Sequence, residues 1–229
     1  MKKIIIMLLS TLFAMAIELP QSINASVTAV NNEQITVDQS VPKGMSGIVI
    51  HNYGNGIAAI THTVNSNGGN SATLQPYKGI EHDNLPKIKS SVTIGDKVVF
   101  GNFYDNALLI APSEKIYSTL TRSIDKNWIH PDIYAMHLLN EDETKITLEN
   151  LKAFATFNQV GLIVIVTQTG LSVLDPLSGQ YLMKQPYSLT TDTVMSPFYA
   201  RFEQISDTFW GNEEKQAFAQ YYHGVESIR

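Results

Sequence analysis

The chain has 229 residues, of which 44% are hydrophobic and 16% charged, with a formal net charge of −5 and no cysteine. That excludes disulfides, thiolate metal sites and a lipid-anchor cysteine, and it disfavours nucleic acid, whose phosphates need concentrated Lys and Arg. The length suffices for one large domain or two small ones, each with its own core.

Residues 1–16 predict a signal peptide. Lys2 and Lys3 form a basic head, residues 4–13 an apolar run, and Ala14-Met15-Ala16 a small–x–small cleavage pattern. The expectation is a cleaved signal and a periplasmic protein. No later apolar run approaches the eighteen residues that a membrane helix needs.

From about residue 25 to 112 the signals are β. Strands are predicted over 26–30 and 34–37, joined at Asn31-Asn32, and over 47–51 and 57–64, joined by the Tyr53-Gly54-Asn55-Gly56 turn. Residues 65–70, all Asn, Ser or Gly, read as a loop before a strand over 72–77. Gly95-Asp96 reads as a turn feeding a strand to Phe100, and 103–110 as the last strand of the set. Short strands at this spacing predict a small β-barrel, SH3-like or similar, whose closure removes exposed edges.

From 113 to 229 an α+β domain is predicted. Ser113 caps a helix with Ile116, Leu120 and Ile124 on one face. His130-Pro131 opens a second helix and Thr147 caps a third, carrying Leu148, Leu151, Phe154 and Ala155. Strands over 160–167, 170–174 and 180–184 form a three-stranded antiparallel meander with flanking helices, turning at Asp175-Pro176-Leu177-Ser178-Gly179. Ser196-Pro197 is expected to open a further helix through Phe198, Phe202 and Ile205, and Asn212-Glu213-Glu214 to cap a last helix ending at Gly224.

No catalytic motif emerges. The six histidines lack zinc-binding spacing, His51 and His62 read as barrel-surface residues, and Glu81-His82-Asp83 reads as a solvated loop. No G-x-S-x-G elbow, P-loop or Rossmann fingerprint occurs. The expectation is a protein that is not an enzyme, with no cofactor and no metal. The aromatic-rich C-terminal stretch supplies the candidate partner-binding residues Trp210, Tyr221, Tyr222 and Arg229, because Tyr and Trp dominate binding hot spots. Tyr221 and Tyr222 are adjacent, so one of the two is expected to face outward.

Several stretches carry a family resemblance. They are Val41-Pro42-Lys43-Gly44-Met45-Ser46-Gly47-Ile48-Val49, Ile94-Gly95-Asp96-Lys97-Val98-Val99, Ala107-Leu108-Leu109-Ile110-Ala111-Pro112, Trp128-Ile129-His130-Pro131-Asp132, Val160-Gly161-Leu162 and Leu174-Asp175. Together they resemble the N-terminal domain of the plasminogen-binding protein PgbA family of epsilon-class Gram-negative bacteria. The resemblance implies an envelope protein with a protein partner, plasminogen by the family name. It also implies recognition of a terminal lysine beside a carboxylate. This sequence runs instead to Ser227-Ile228-Arg229, where Arg229 would offer the cation. An alternative expectation is a periplasmic scaffold component of an envelope machine, such as a flagellar motor accessory, within an oligomeric assembly.

Overall fold

The computed structural model describes residues 17–77, 90–143, 145–188, 194–201 and 218–228. It is a mixed α+β protein whose strands fall in two sheets. The first sheet comprises β1 (Ile23–Asn31), β2 (Gln34–Val41), β3 (Ser46–Gly54), β4 (Ile57–Pro76) and β5 (Lys97–Phe100). They pair in the order β1-β2-β4-β3-β5, and β5 pairs back onto β1, which closes the ring. The β3–β4 turn uses Asn55 and Gly56 at φ 51 and 78, the left-handed values that a two-residue hairpin turn demands.

One expectation in this region is corrected. Residues 65–70 are not a loop but the middle of the 20-residue β4. The first half of β4 pairs with β3 and the second half with β2. Gly68 and Gly69, at φ 98 and 64, lie where the strand passes from one neighbour to the other. The polar composition reflects a barrel corner, where glycine permits the bend.

The second sheet contains β6 (Asn106–Ile110), β7 (Asn127–Ile129), β8 (Leu162–Thr167), β9 (Gly170–Asp175) and β10 (Gln180–Pro186), in the order β10-β9-β8-β6-β7. The meander β8-β9-β10 is antiparallel, whereas β6 runs parallel to both β7 and β8. This is a second correction. Residues 106–110 belong to the second sheet rather than to the barrel, and the meander is part of a five-stranded mixed sheet. The side chains of Ala107 to Ile110 are all fully buried, as expected for a central parallel strand covered on both faces.

Helices α1 (Glu114–Ser123), α2 (Pro131–Asn140), α3 (Leu148–Asn158) and α4 (Phe218–Glu226) complete the described elements. Ser113 caps α1, His130 caps α2 ahead of Pro131, and Thr147 with Asn150 forms a capping box on α3. Residues 194–201 are not helical, contrary to the expectation from Ser196-Pro197, and that peptide bond is cis; the rest of that expected helix, with Phe202 and Ile205, lies outside the described residues, as does the expected cap at Asn212-Glu213-Glu214. Gly224 lies inside α4 rather than at its end.

The second sheet is the middle layer. On one face, Ala107, Leu109, Leu162, Val164 and Val166 share a core with the barrel interior and with Ile116 and Leu120 of α1. On the other, Leu108, Ile110, Ile163 and Ile165 meet α2, α3 and α4. Because one apolar cluster spans barrel and sheet, the two units are packed together. Among the described residues no helix is long and apolar enough to cross a membrane.

Candidate functional site

A cavity of about 650 Å³ lies between the outer strands of the second sheet and the end of α4, within the size range of small-ligand sites. Its walls include Ser172 of β9, Tyr181, Lys184 and Gln185 of β10, and Val225, Glu226 and Ile228 of the C-terminal segment. Strand register explains the grouping. Lys184 pairs directly with Ser172, and directly opposed residues share a sheet face. Tyr181 pairs with Leu174, whose side chain lies in the core on the α4 side.

Alternation alone would place Tyr181 and Lys184 on opposite faces, since they are three residues apart. The register shifts between Tyr181 and Met183, and this bulge brings both onto the α4 face. The Lys184 ammonium consequently sits 5.5 Å from the Tyr181 ring centroid. Burial raises the Tyr181 pKa, and its hydroxyl donates to the Ile228 carbonyl at 3.2 Å. Ser172 is only 5% exposed, and its hydroxyl makes no hydrogen bond among the described residues. Glu226 accepts from the Gln168 backbone N–H at 3.2 Å through Oε1. Lys184 and Glu226 line one cavity without forming an ion pair.

A second cluster gathers where the chain leaves β6 and β7. These neighbouring parallel strands send their connections to opposite faces of the sheet, α1 to the barrel side and α2 to the other. Such a switch point opens a crevice at the strand ends. The segment 194–201 is fastened there by Met195 N–H to the Pro112 carbonyl and Tyr199 N–H to the Ala111 carbonyl, both at 2.7 Å. The rings of Tyr117, His130 and Tyr199 meet with centroids 5.1 to 6.0 Å apart.

Beneath them the buried Asp132 accepts from Arg201 twice, from the backbone N–H at 2.8 Å and from Nε–H at 2.7 Å. Asp132 raises the Arg201 pKa by hydrogen bond and charge. Burial lowers the His130 pKa against the opposing pull of Asp132, whose Oδ2 lies 3.1 Å from Nδ1, the atom that also faces the Asp132 backbone N–H at 3.2 Å. Burial likewise raises Tyr117 and Tyr199. The hydroxyls therefore stay protonated near neutrality and act as polar contacts rather than bases.

The barrel histidines are not independent surface residues. His62 pairs opposite the fully buried Val49, which places it on the interior face. His51 Nδ1 meets Asp96 Oδ1 at 2.7 Å, and Asp96 also receives Thr93 N–H and Oγ1–H. Among the described residues no three His, Cys, Asp or Glu side chains converge as a metal site.

The sequence-predicted partner residues fare unevenly. Tyr221 and Tyr222 are both buried, at 0% and 6% exposure, so neither faces outward as expected. Tyr221 is a core pin whose hydroxyl donates toward the Ile110 and Val166 carbonyls, each at 3.0 Å. The ring of Tyr222 packs edge-on against it at 5.3 Å. A helix laid across a sheet presents neighbouring residues about 100° apart, close enough for both to fall within one broad buried stripe. Trp210 and Arg229 lie outside the described residues. The same C-terminal segment does border the cavity, but through Val225, Glu226 and Ile228. Ser172 and Lys184 were missed because only register and a bulge bring them beside Tyr181.

Comparison with known proteins finds relatives for most of the chain. The family described as plasminogen-binding protein PgbA N-terminal matches residues 22–225. Two curated relatives, both named plasminogen-binding protein PgbA and from two strains of Helicobacter pylori, are each 31% identical over 162 residues. Those alignments cover 68% of this chain and 35% of each relative, so the chain spans about a third of their length. No solved structure matches. The chain belongs to the PgbA N-terminal family.

Proposed function

We propose that the chain is an exported, non-enzymatic protein of the cell envelope that binds a protein partner, with plasminogen as the first partner to test. The observation that carries this reading is the family match over residues 22–225, which takes in both the barrel and the second sheet. The relatives' name supplies the partner class. The N-terminal signal pattern supports export to the periplasm. The same reading takes the five-stranded ring as an SH3-like barrel, supported by its small size and antiparallel order.

The experiment is retention of plasminogen on the immobilised full chain, with and without a lysine analogue. Retention that the analogue abolishes, and that removal of Arg229 weakens, supports lysine-type capture. Retention indifferent to both overturns the terminal-residue mechanism. No retention removes plasminogen as the partner. A second reading, a periplasmic scaffold in an envelope machine such as the flagellar motor, is favoured by the core shared between barrel and sheet. Recovery of the chain in a ring-shaped envelope assembly would select it.

A further inference from the structure

We propose that the cavity between β9, β10 and α4 is a recognition site for a short zwitterionic peptide segment. Lys184 takes the segment's carboxylate and Glu226 its ammonium. The inference rests on the protein-binding reading above and names the chemistry that one site would select.

Three observations carry it. The first is size. A cavity of about 650 Å³ exceeds what a single ion or water needs and lies in the range that holds a few residues of peptide. The second is charge. Lys184 and Glu226 stand on different walls, one on the sheet and one on the helix, and do not pair with each other. Opposite charges held apart in one cavity are complementary to a ligand that carries both signs. The Glu226 carboxylate is already oriented by the Gln168 N–H, and the Lys184 ammonium is held over the Tyr181 ring. Some of the ordering cost of binding is thus met in advance.

The third observation is Ser172. The residue is only 5% exposed, yet its hydroxyl, which takes no partner among the described residues, still meets solvent and is free to bond an entering group. It lies on the cavity wall directly opposite Lys184 in the ladder. A peptide N–H or carbonyl entering the cavity satisfies it. A purely apolar ligand leaves it stranded, and a simple anion leaves Glu226 unmatched.

The test uses the full chain and four forms of tri-alanine: unblocked, N-acetylated, C-amidated, and blocked at both ends. Binding is followed by the NMR signals of Ser172, Lys184 and Glu226. The unblocked peptide is expected to bind saturably, and blocking either end to weaken it about fivefold, as partly exposed charge pairs do. Lys184→Met should erase the difference between acid and amide. Glu226→Gln should erase the difference between free and acetylated amine. Both side chains are exposed, so neither change threatens the fold. No saturable shift, equal binding of the doubly blocked peptide, or variants that leave both preferences intact would each overturn the proposal. Charge-selective peptide binding alongside absent plasminogen retention would keep the site and remove plasminogen as its source.

Discussion

Tyr104 donates its phenolic hydroxyl to Asp175 Oδ2 at 2.7 Å, and the same oxygen accepts the Ser46 backbone N–H at 2.8 Å. Oδ1 accepts the N–H groups of Leu177 and Ser178 at 3.0 Å. One carboxylate with no solvent exposure thus ties the barrel strand β3, the connection into β6 and the β9–β10 turn together. Burial chiefly, then the adjacent carboxylate, holds the Tyr104 pKa far above its ordinary value, so the phenol remains a donor.

Removing this carboxylate strands donors from both units. Asp175→Ala is expected to cost about 3–5 kcal/mol, since buried partners lose a charged acceptor and gain no water. Tyr104→Phe removes a single bond to a charged group and should cost about 1.5–3 kcal/mol. Urea unfolding followed separately at barrel and sheet signals checks both values. In the parent the two transitions should coincide. Wild-type-like stability of Asp175→Ala would show that the carboxylate does not join the units.

Two glycines should respond to alanine with opposite signs. Gly161 leads into β8, where a Cβ would lie 2.4 Å from the Phe103 carbonyl carbon and 2.7 Å from the Tyr104 nitrogen. Both are backbone atoms, which cannot swing aside. Gly161→Ala should therefore destabilise by about 1–3 kcal/mol. Gly224 lies within α4 with no atom within 4 Å of its Cβ position. There alanine only reduces the freedom of the unfolded chain and favours helix, a gain of about 0.5–1 kcal/mol. Thermal unfolding of the two variants against the parent reads the contrast directly.

Local rules reached far into this fold, and register is where they stopped. Ser113, His130-Pro131 and Thr147 open helices where their chemistry requires, and Asn55-Gly56 turns the β3–β4 hairpin. Residues 65–70 misled because a glycine-rich polar run suits a barrel corner as well as a loop. Residues 106–110 misled because a short apolar strand does not announce which sheet it joins. The three-residue β7 carries too little pattern to register at all. The cavity was hidden for a related reason. The bulge beside Tyr181 reverses the face of Lys184, and nothing in the sequence marks it.

One barrel histidine gives the chain a predicted sensitivity to acid. His62 sits on the interior face opposite Val49, its Nδ1 buried without a partner among the described residues. Burial lowers its pKa from the ordinary 6.5, and the Asp96 carboxylate only partly opposes this. His51, bonded to Asp96, and Tyr53, edge-on to His51 at 4.6 Å, are the other titratable groups gathered at this end of the barrel. A histidine with a depressed folded pKa contributes stability that is present above 6.5 and lost as pH falls through the folded value. The unfolded chain takes up the proton first, and acid therefore favours unfolding. His130, also lowered by burial, adds a slope of the same sign. Urea midpoints should fall between about pH 7.5 and 5.5, on either side of the ordinary histidine value. His62→Leu should flatten part of that fall and leave the His130 share. An unchanged slope in His62→Leu would mean that the imidazole is solvated at the barrel mouth and carries no linkage.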